Sequence, residues 1–156
     1  MLDLLKKHLA NFSAAKWDDY KAALASDVTY EEAATQLRAK GPDEYVKLVQ
    51  RWKRAFPDLK ANVIRGFESG DKVMAELEWE GTHSGPLDGP FGTIQATNKR
   101  GRVKAVIVAT IKNGKIASTH HYFDLLTVLN QIGIAPMAGA AAQPATKPTV
   151  VPPSRH

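Results

Sequence analysis

Apolar residues recur near the start of the chain at Leu2, Leu5, Leu9 and Phe12, then at Trp17, Tyr20 and Leu24. Spacings of three to five place such residues on one helix face. Ser13 interrupts the run, so two helices or one bent helix are predicted. Ser26-Asp27 ends the helical region, and Val28-Thr29-Tyr30 begins a β-rich stretch reaching about Leu37, read as a small hairpin. Gly41-Pro42-Asp43 predicts a helix start, with Pro in the first turn and the acids Asp43 and Glu44 complementing the helix dipole. Tyr45, Leu48, Val49, Trp52 and Phe56 mark its apolar face. Pro57 stops it, because proline lacks an amide proton and biases the preceding residue away from helical torsions.

The rest reads as a β-meander. Strands are predicted from Leu59 to Phe67 and from Val73 to His83, joined by a Ser69-Gly70-Asp71 turn. A Gly/Pro-rich connection follows from Ser84 to Gly92. Asn113-Gly114 then sits between Val103 to Ile111 and Ile116 to Phe123, and Asn-Gly is the dipeptide that best accepts the left-handed torsions of a two-residue hairpin. Leu125 to Ile132 is a short final helix. Helices segregated to one face of a curved antiparallel sheet make an α+β cone whose wide end can hold a ligand.

Length and composition refine this picture. At 156 residues and 44% hydrophobic content, the chain supports one core. The expected division is a domain over 1–134 and a flexible Ala/Pro-rich tail over 135–156, whose apolar bulk is too small to offset the entropy of ordering. The absence of cysteine excludes disulfides, thiolate metal sites and cysteine nucleophiles. Asp3, Lys6 and Lys7 interrupt what a secretory signal would need as an unbroken apolar core, so a cytoplasmic location is expected. No apolar run approaches the ~20 residues that span a bilayer, which predicts no membrane partner. The net charge of +5 is partly concentrated in Asn98-Lys99-Arg100-Gly101-Arg102-Val103-Lys104. That cluster starts a strand and lacks interleaved aromatics for base stacking, so it reads as a solvated strand end, with attraction of anionic substrates as the alternative and no nucleic-acid partner expected.

Chemistry-bearing residues are few. Along the strand ending at His83, Val73, Ala75, Leu77, Trp79 and His83 alternate onto the buried side. A histidine there serves either as a hydrogen-bonded structural residue or as a catalyst. His120 and His121 point to opposite faces of their strand, which prevents them from chelating one ion; with the HExxH pattern also missing, no metal site is expected. Asp124 lies between a strand and a helix among Tyr122, Phe123 and several leucines. Apolar surroundings would raise its pKa towards useful basicity, but the same position suits an N-cap, and both readings stand. Asp58 and Asp88 are turn residues on this reading. Trp52, Phe56 and Trp79 serve as pocket lining or as plain core. The nucleophile elbow, the phosphate loop and the dinucleotide turn are all missing, so no nucleotide or nicotinamide cofactor is indicated.

Several segments taken together carry a resemblance: Ala55-Phe56-Pro57-Asp58, Ser69-Gly70-Asp71-Lys72-Val73, Trp79-Glu80-Gly81-Thr82-His83-Ser84-Gly85, Asn113-Gly114-Lys115-Ile116, Tyr122-Phe123-Asp124 and Leu129-Asn130-Gln131-Ile132-Gly133. In order and spacing, over roughly residues 41 to 134, the chain resembles the SnoaL-like polyketide cyclases of the NTF2-like superfamily. The resemblance implies an NTF2-like cone, or cystatin-like α+β roll, and a homodimer. It implies an enzyme of lyase or isomerase type that closes a ring by intramolecular aldol condensation on a hydrophobic small molecule, without metal or cofactor. Asp124 would then be the acid/base group, and His83 a donor steadying the enolate. Tyr30, Trp52, Phe56, Trp79, His120 and Tyr122 complete the expected substrate-binding set. Relatives of the superfamily include ketosteroid isomerase-like and epoxide hydrolase-like enzymes, and modules that only bind small molecules. Epoxide hydrolysis calls for a second carboxylate and an arginine converging on water, whereas Arg51, Arg54 and Arg65 all read as exposed. The chain departs from some cyclases at Val108-Ala109-Thr110-Ile111, where they carry a polar residue, and at His120, commonly Trp or Arg.

Overall fold

The computed structural model describes residues 1–134; the tail expected over 135–156 lies outside the described residues. The first apolar stripe folds as two helices, α1 (Leu2–Ser13) and α2 (Trp17–Ala22). Ala15 separates them with a positive φ of 54°. Helix α2 stops at Ala22, before the Ser26-Asp27 end expected of it. Leu24 to Asp27 already belong to β1 (Leu24–Glu32), which pairs with β2 (Leu37–Lys40) in a hairpin that overruns the expected Val28 to Leu37 at both ends. Helix α3 (Pro42–Ala55) starts with Pro42 in its first turn. There Glu44 Oε2 reaches back past the N-cap Gly41 to accept from the Lys40 amide at 2.9 Å, tying the first turn of the helix to the end of β2.

Strands β3 (Lys60–Ser69), β4 (Lys72–Thr82), β7 (Arg100–Lys112) and β8 (Lys115–Phe123) are antiparallel neighbours, as the meander pattern predicts. The Gly/Pro-rich connection holds a small separate hairpin, β5 (Leu87–Gly89) with β6 (Gly92–Ile94). Helix α4 (Leu125–Gln131) ends the described fold. At the β7–β8 turn, Asn113 and Gly114 have φ of 50° and 71°, the left-handed pair such a turn requires.

One pairing has no local signature. β1 lies beside β8 in parallel, giving the six-strand order β2-β1-β8-β7-β4-β3. Parallel neighbours need a long crossover rather than a turn, so no dipeptide announces them. Register shifts interrupt the ladder between Val63 and Arg65 and between Thr110 and Ile111. Such bulges bend strands and curve the sheet. Its concave face carries Val28, Tyr30, Val73, Ala75, Leu77, Trp79, Ala105, Ile107, Thr119 and His121, all buried. α1 and α3 cover that face with Leu5, Leu9, Phe12, Tyr45, Val49 and Trp52.

Two glycines shape the core. Gly81 of β4 stands opposite Gly101 of β7. A Cβ on Gly81 would come within 3.2 Å of Phe56 Cβ, and one on Gly101 within 3.8 Å of the Phe56 ring. The missing side chain at Gly81 therefore leaves room for Phe56, whereas one at Gly101 would meet the ring only in ordinary contact. On the outer side, the basic residues at the start of β7 meet carboxylates. Arg100 and Arg102 donate to Glu80 at 3.1 and 3.2 Å, where Lys60 also pairs at 2.9 Å.

Candidate functional site

The alternation of β1 turns Val28, Tyr30 and Glu32 inward, and that of β8 turns Thr119 and His121 inward. The parallel pairing sets Glu32 beside His121 in register. The face of α3 adds Arg51 and Trp52. Side chains far apart in sequence thus meet in one buried network. Trp79 Nε1 donates to His121 Nε2 at 3.0 Å. His121 Nδ1 lies 3.0 Å from the Tyr30 hydroxyl, which donates to Glu32 Oε2 at 2.9 Å. Trp52 Nε1 donates to the same oxygen at 2.9 Å. Thr35 Oγ1 donates to Glu32 Oε1 at 2.6 Å, and the Arg51 guanidinium forms an ion pair there. Arg51 also donates to the Asp88 carbonyl at 3.0 Å.

The chemistry of the donors fixes the protons. Indole N–H only donates, so His121 Nε2 must be its acceptor. Nδ1 then carries the imidazole proton and donates to Tyr30, whose own proton goes to Glu32. Burial lowers the His121 pKa to about 4, against the opposing pull of Glu32. Burial by itself would raise the Glu32 carboxyl; the Arg51 guanidinium leads the interactions that outweigh it and hold Glu32 below its usual range. The Tyr30 hydroxyl is pushed well above its ordinary value, first by burial and then by the Glu32 charge. A neutral imidazole therefore rests on a phenol backed by a carboxylate.

This network borders a partly open cavity with about 70 Å³ of free space. Its lining includes Tyr30, Tyr45, Trp52, Phe56, Trp79 and His121, together with His8 and Tyr20 from the first two helices. Ring contacts connect the wall: Tyr30 to Tyr45 at 4.6 Å, Tyr45 to Tyr20 at 6.0 Å, and Tyr20 stacked on His8 at 3.7 Å. The free space admits a small ring; larger ligands, which usually occupy several hundred Å³, require these side chains to turn.

Of the residues expected at the site, Tyr30, Trp52, Phe56 and Trp79 line the cavity. Asp124, His83, His120 and Tyr122 lie outside that lining. Asp124 is exposed and caps α4, accepting from the Thr127 amide at 3.2 Å and the Thr127 hydroxyl at 2.7 Å. Those hydrogen bonds, the hydroxyl's foremost, lower its pKa, the opposite of the rise that burial would bring. His83 is fully buried but outside the cavity lining, 5.2 Å from the Phe56 ring. Its Nδ1 accepts from the Thr97 amide at 3.3 Å and lies 3.0 Å from the Thr97 hydroxyl. His120 and Tyr122 occupy the outer face because their neighbour His121 points inward. His120 lies 3.8 Å from Glu31, and Tyr122 is about half exposed.

Residues outside the expected set complete the arrangement. The adjacent histidine pair does not by itself say which ring points inward, and the fold turns His121 in. Glu32 continues the Val28–Tyr30 alternation that the hairpin reading did not extend. Arg51 is buried rather than exposed, because the position before Trp52 shares the apolar face of α3. Arg54 and Arg65 are exposed, as expected. His8 falls within the Leu5, Leu9, Phe12 stripe, a signal present in the spacing itself. Among the described residues, no group of three or more His, Asp or Glu side chains is arranged to hold a metal ion, and no helix is long and apolar enough to cross a membrane.

A curved, mostly antiparallel sheet with helices on its concave face is the ketosteroid isomerase-like, NTF2-like fold, and solved structures agree. A protein with a ketosteroid isomerase-like fold from Catenulispora acidiphila DSM 44928, in complex with trimethylamine, superposes with a TM-score of 0.72 at 19% identity, covering 85% of this chain and 93% of that one. A proposed SnoaL-like polyketide cyclase from Jannaschia sp. CCS1 gives 0.76 at 17% identity, covering 86% and 92%. AclR, a proposed hydroxylase from Streptomyces galilaeus, gives 0.73 at 20% identity, covering 86% and 85%. The profile of the SnoaL-like polyketide cyclase family matches residues 3–132, and the chain belongs to that family. No curated protein matches it in sequence.

Proposed function

We propose that this protein is a cofactor-independent acid/base enzyme acting next to a carbonyl on a hydrophobic small molecule, by a polyketide cyclase-like aldol condensation. The observation that carries the reading is the His121–Tyr30–Glu32 relay opening onto a carbon-walled cavity. A neutral imidazole oriented through Nδ1 by a carboxylate-backed partner is the arrangement of a general base. In this reading the substrate takes the place of the Trp79 N–H against Nε2. His121 Nε2 accepts a proton from the carbon between two carbonyls. The positive charge on the ring is stabilised through Tyr30 by Glu32. The resulting enolate attacks a further carbonyl of the same molecule, a C–C bond forms as that C=O π bond opens, and Nε2 returns the proton to the new alkoxide. His121 takes the role that the resemblance assigned to Asp124, because a base must first reach the proton it abstracts.

The test needs no natural substrate. α-Proton exchange of cyclopentanone in D₂O, followed by NMR, reports the first step alone. Exchange at least about tenfold above free imidazole, abolished in His121→Gln and strongly reduced in Glu32→Gln, is expected for a positioned base. Exchange no faster than imidazole, with the probe shown to bind, would leave the non-catalytic binding module as the better reading. Phe67 and Met74, an exposed cross-strand pair on the outer face, support the expectation of a homodimer, which light scattering on Phe67→Lys would check.

A further inference from the structure

The cavity wall holds a second histidine that the relay does not use. His8 is buried to 2% exposure, and neither ring nitrogen makes a well-aligned hydrogen bond, the Tyr20 backbone offering only a weak contact that slightly favours the protonated ring. Its ring lies against Tyr20, tilted by only 14°, with Tyr45 edge-on at 6.2 Å. Stacking covers one face of the imidazole and leaves its nitrogens without a strong partner. Burial lowers its pKa to about 3, so the ring is neutral, with one N–H donor and one lone pair. An unmade hydrogen bond at a buried polar atom is costly, and phenylalanine would fill the same stripe position without that cost. Apart from the histidines, the side chains around the cavity offer few polar groups. The guanidinium of Arg102 is engaged by Glu80 on the outer side, and the Tyr45 hydroxyl donates to Thr119 at 2.9 Å.

We propose that His8 is a ligand-binding residue of this cavity, donating a hydrogen bond to a carbonyl oxygen of a neutral, hydrophobic ligand. The inference rests on the reading of the cavity as a ligand site, but not on its being catalytic. Neutrality follows from the wall, because a charged ligand would lose its hydration with no free counter-ion. A carbonyl oxygen suits the N–H donor, and binding it removes one of the two buried deficits. His8 thereby orients the ligand from the helical side of the cavity, whereas His121 stands on the sheet side.

The probes are cyclopentanone and methylenecyclopentane, which have nearly the same shape and differ in the carbonyl oxygen. Binding is read from the indole N–H signals of Trp52 and Trp79, both in the wall. Comparing the ratio of the two dissociation constants between wild type and His8→Phe cancels the different hydration of the probes. The expected result is a shift of about tenfold against the ketone in His8→Phe, with His8→Asn, which keeps a donor, falling between. The melting temperature of His8→Phe should rise, since two unpartnered nitrogens are removed. A ratio shift below about twofold would overturn the role of His8 while leaving the cavity a ligand site. A lowered melting temperature for His8→Phe would also overturn it, by revealing a structural partner. Binding of neither probe by the wild type would overturn both readings.

Discussion

Trp79 Nε1 donates to His121 Nε2 at 3.0 Å, linking the middle of the sheet to the one histidine of the adjacent pair that faces the core. Because an indole can only donate, this single contact sets the tautomer of His121 and aims its Nδ1 proton at Tyr30. Removing the indole should therefore change the imidazole without touching it. In Trp79→Phe, ¹⁵N NMR of His121 is expected to show mixed tautomers and a pKa raised from about 4. An unchanged Nδ1–H tautomer would mean that Tyr30 and Glu32 set it alone.

Acid should destabilise the fold through three histidines, His83 among them, whose pKa burial also lowers. His121 and His8 have native pKa values lowered to about 4 and about 3 from an ordinary 6.5. Between those values and 6.5 the unfolded chain binds more protons than the native one, so stability rises with pH there. It is fully present above about 6.5 and falls by up to about 1.4 kcal/mol per pH unit per histidine on acidification. Glu32, with its depressed pKa, adds to the loss at lower pH. Tyr20 and Tyr45 remain neutral throughout, their pKa values being raised. Denaturant titrations from pH 7 to pH 4 should show this slope, flattened in His8→Phe.

Breaking the Glu32–Arg51 pair from one side should be severe. Both side chains are nearly inaccessible, at 0% and 6% exposure. Arg51→Met leaves an uncompensated buried carboxylate and is expected to cost about 3–5 kcal/mol in urea unfolding. The double variant Glu32→Gln/Arg51→Met should lose clearly less than the two single losses added together.

Asp124 separates a cap from a catalyst. Asp124→Asn keeps an acceptor for the Thr127 amide, so melting should be almost unchanged, whereas Asp124→Ala should lower it by a few degrees. Ketone exchange should be equal in all three proteins. A loss of exchange in Asp124→Asn with melting intact would restore Asp124 as the acid/base group.

Local chemistry in the chain was enough for most of the elements. The Asn113-Gly114 hairpin, the Pro42 start and Pro57 end of α3, and the alternation through Val73 to Trp79 are each set by torsions or periodicity within a few residues. They were legible for that reason. The aromatic part of the cavity, Tyr30, Trp52, Phe56 and Trp79, was legible too, since apolar bulk on a buried face announces itself.

Tertiary structure alone decided the polar part. Which of His120 and His121 faces inward depends on β8 lying between β7 and the parallel β1, a contact between residues about ninety positions apart. The same contact brings Glu32 to His121 and leaves Asp124 outside as a cap. Polar side chains are buried only where distant partners or a ligand site receive them, so their roles depend on the whole fold. His8 shows this most simply: its place on the apolar stripe is written in the spacing, but only the folded cavity shows that its nitrogens are left without a well-aligned partner.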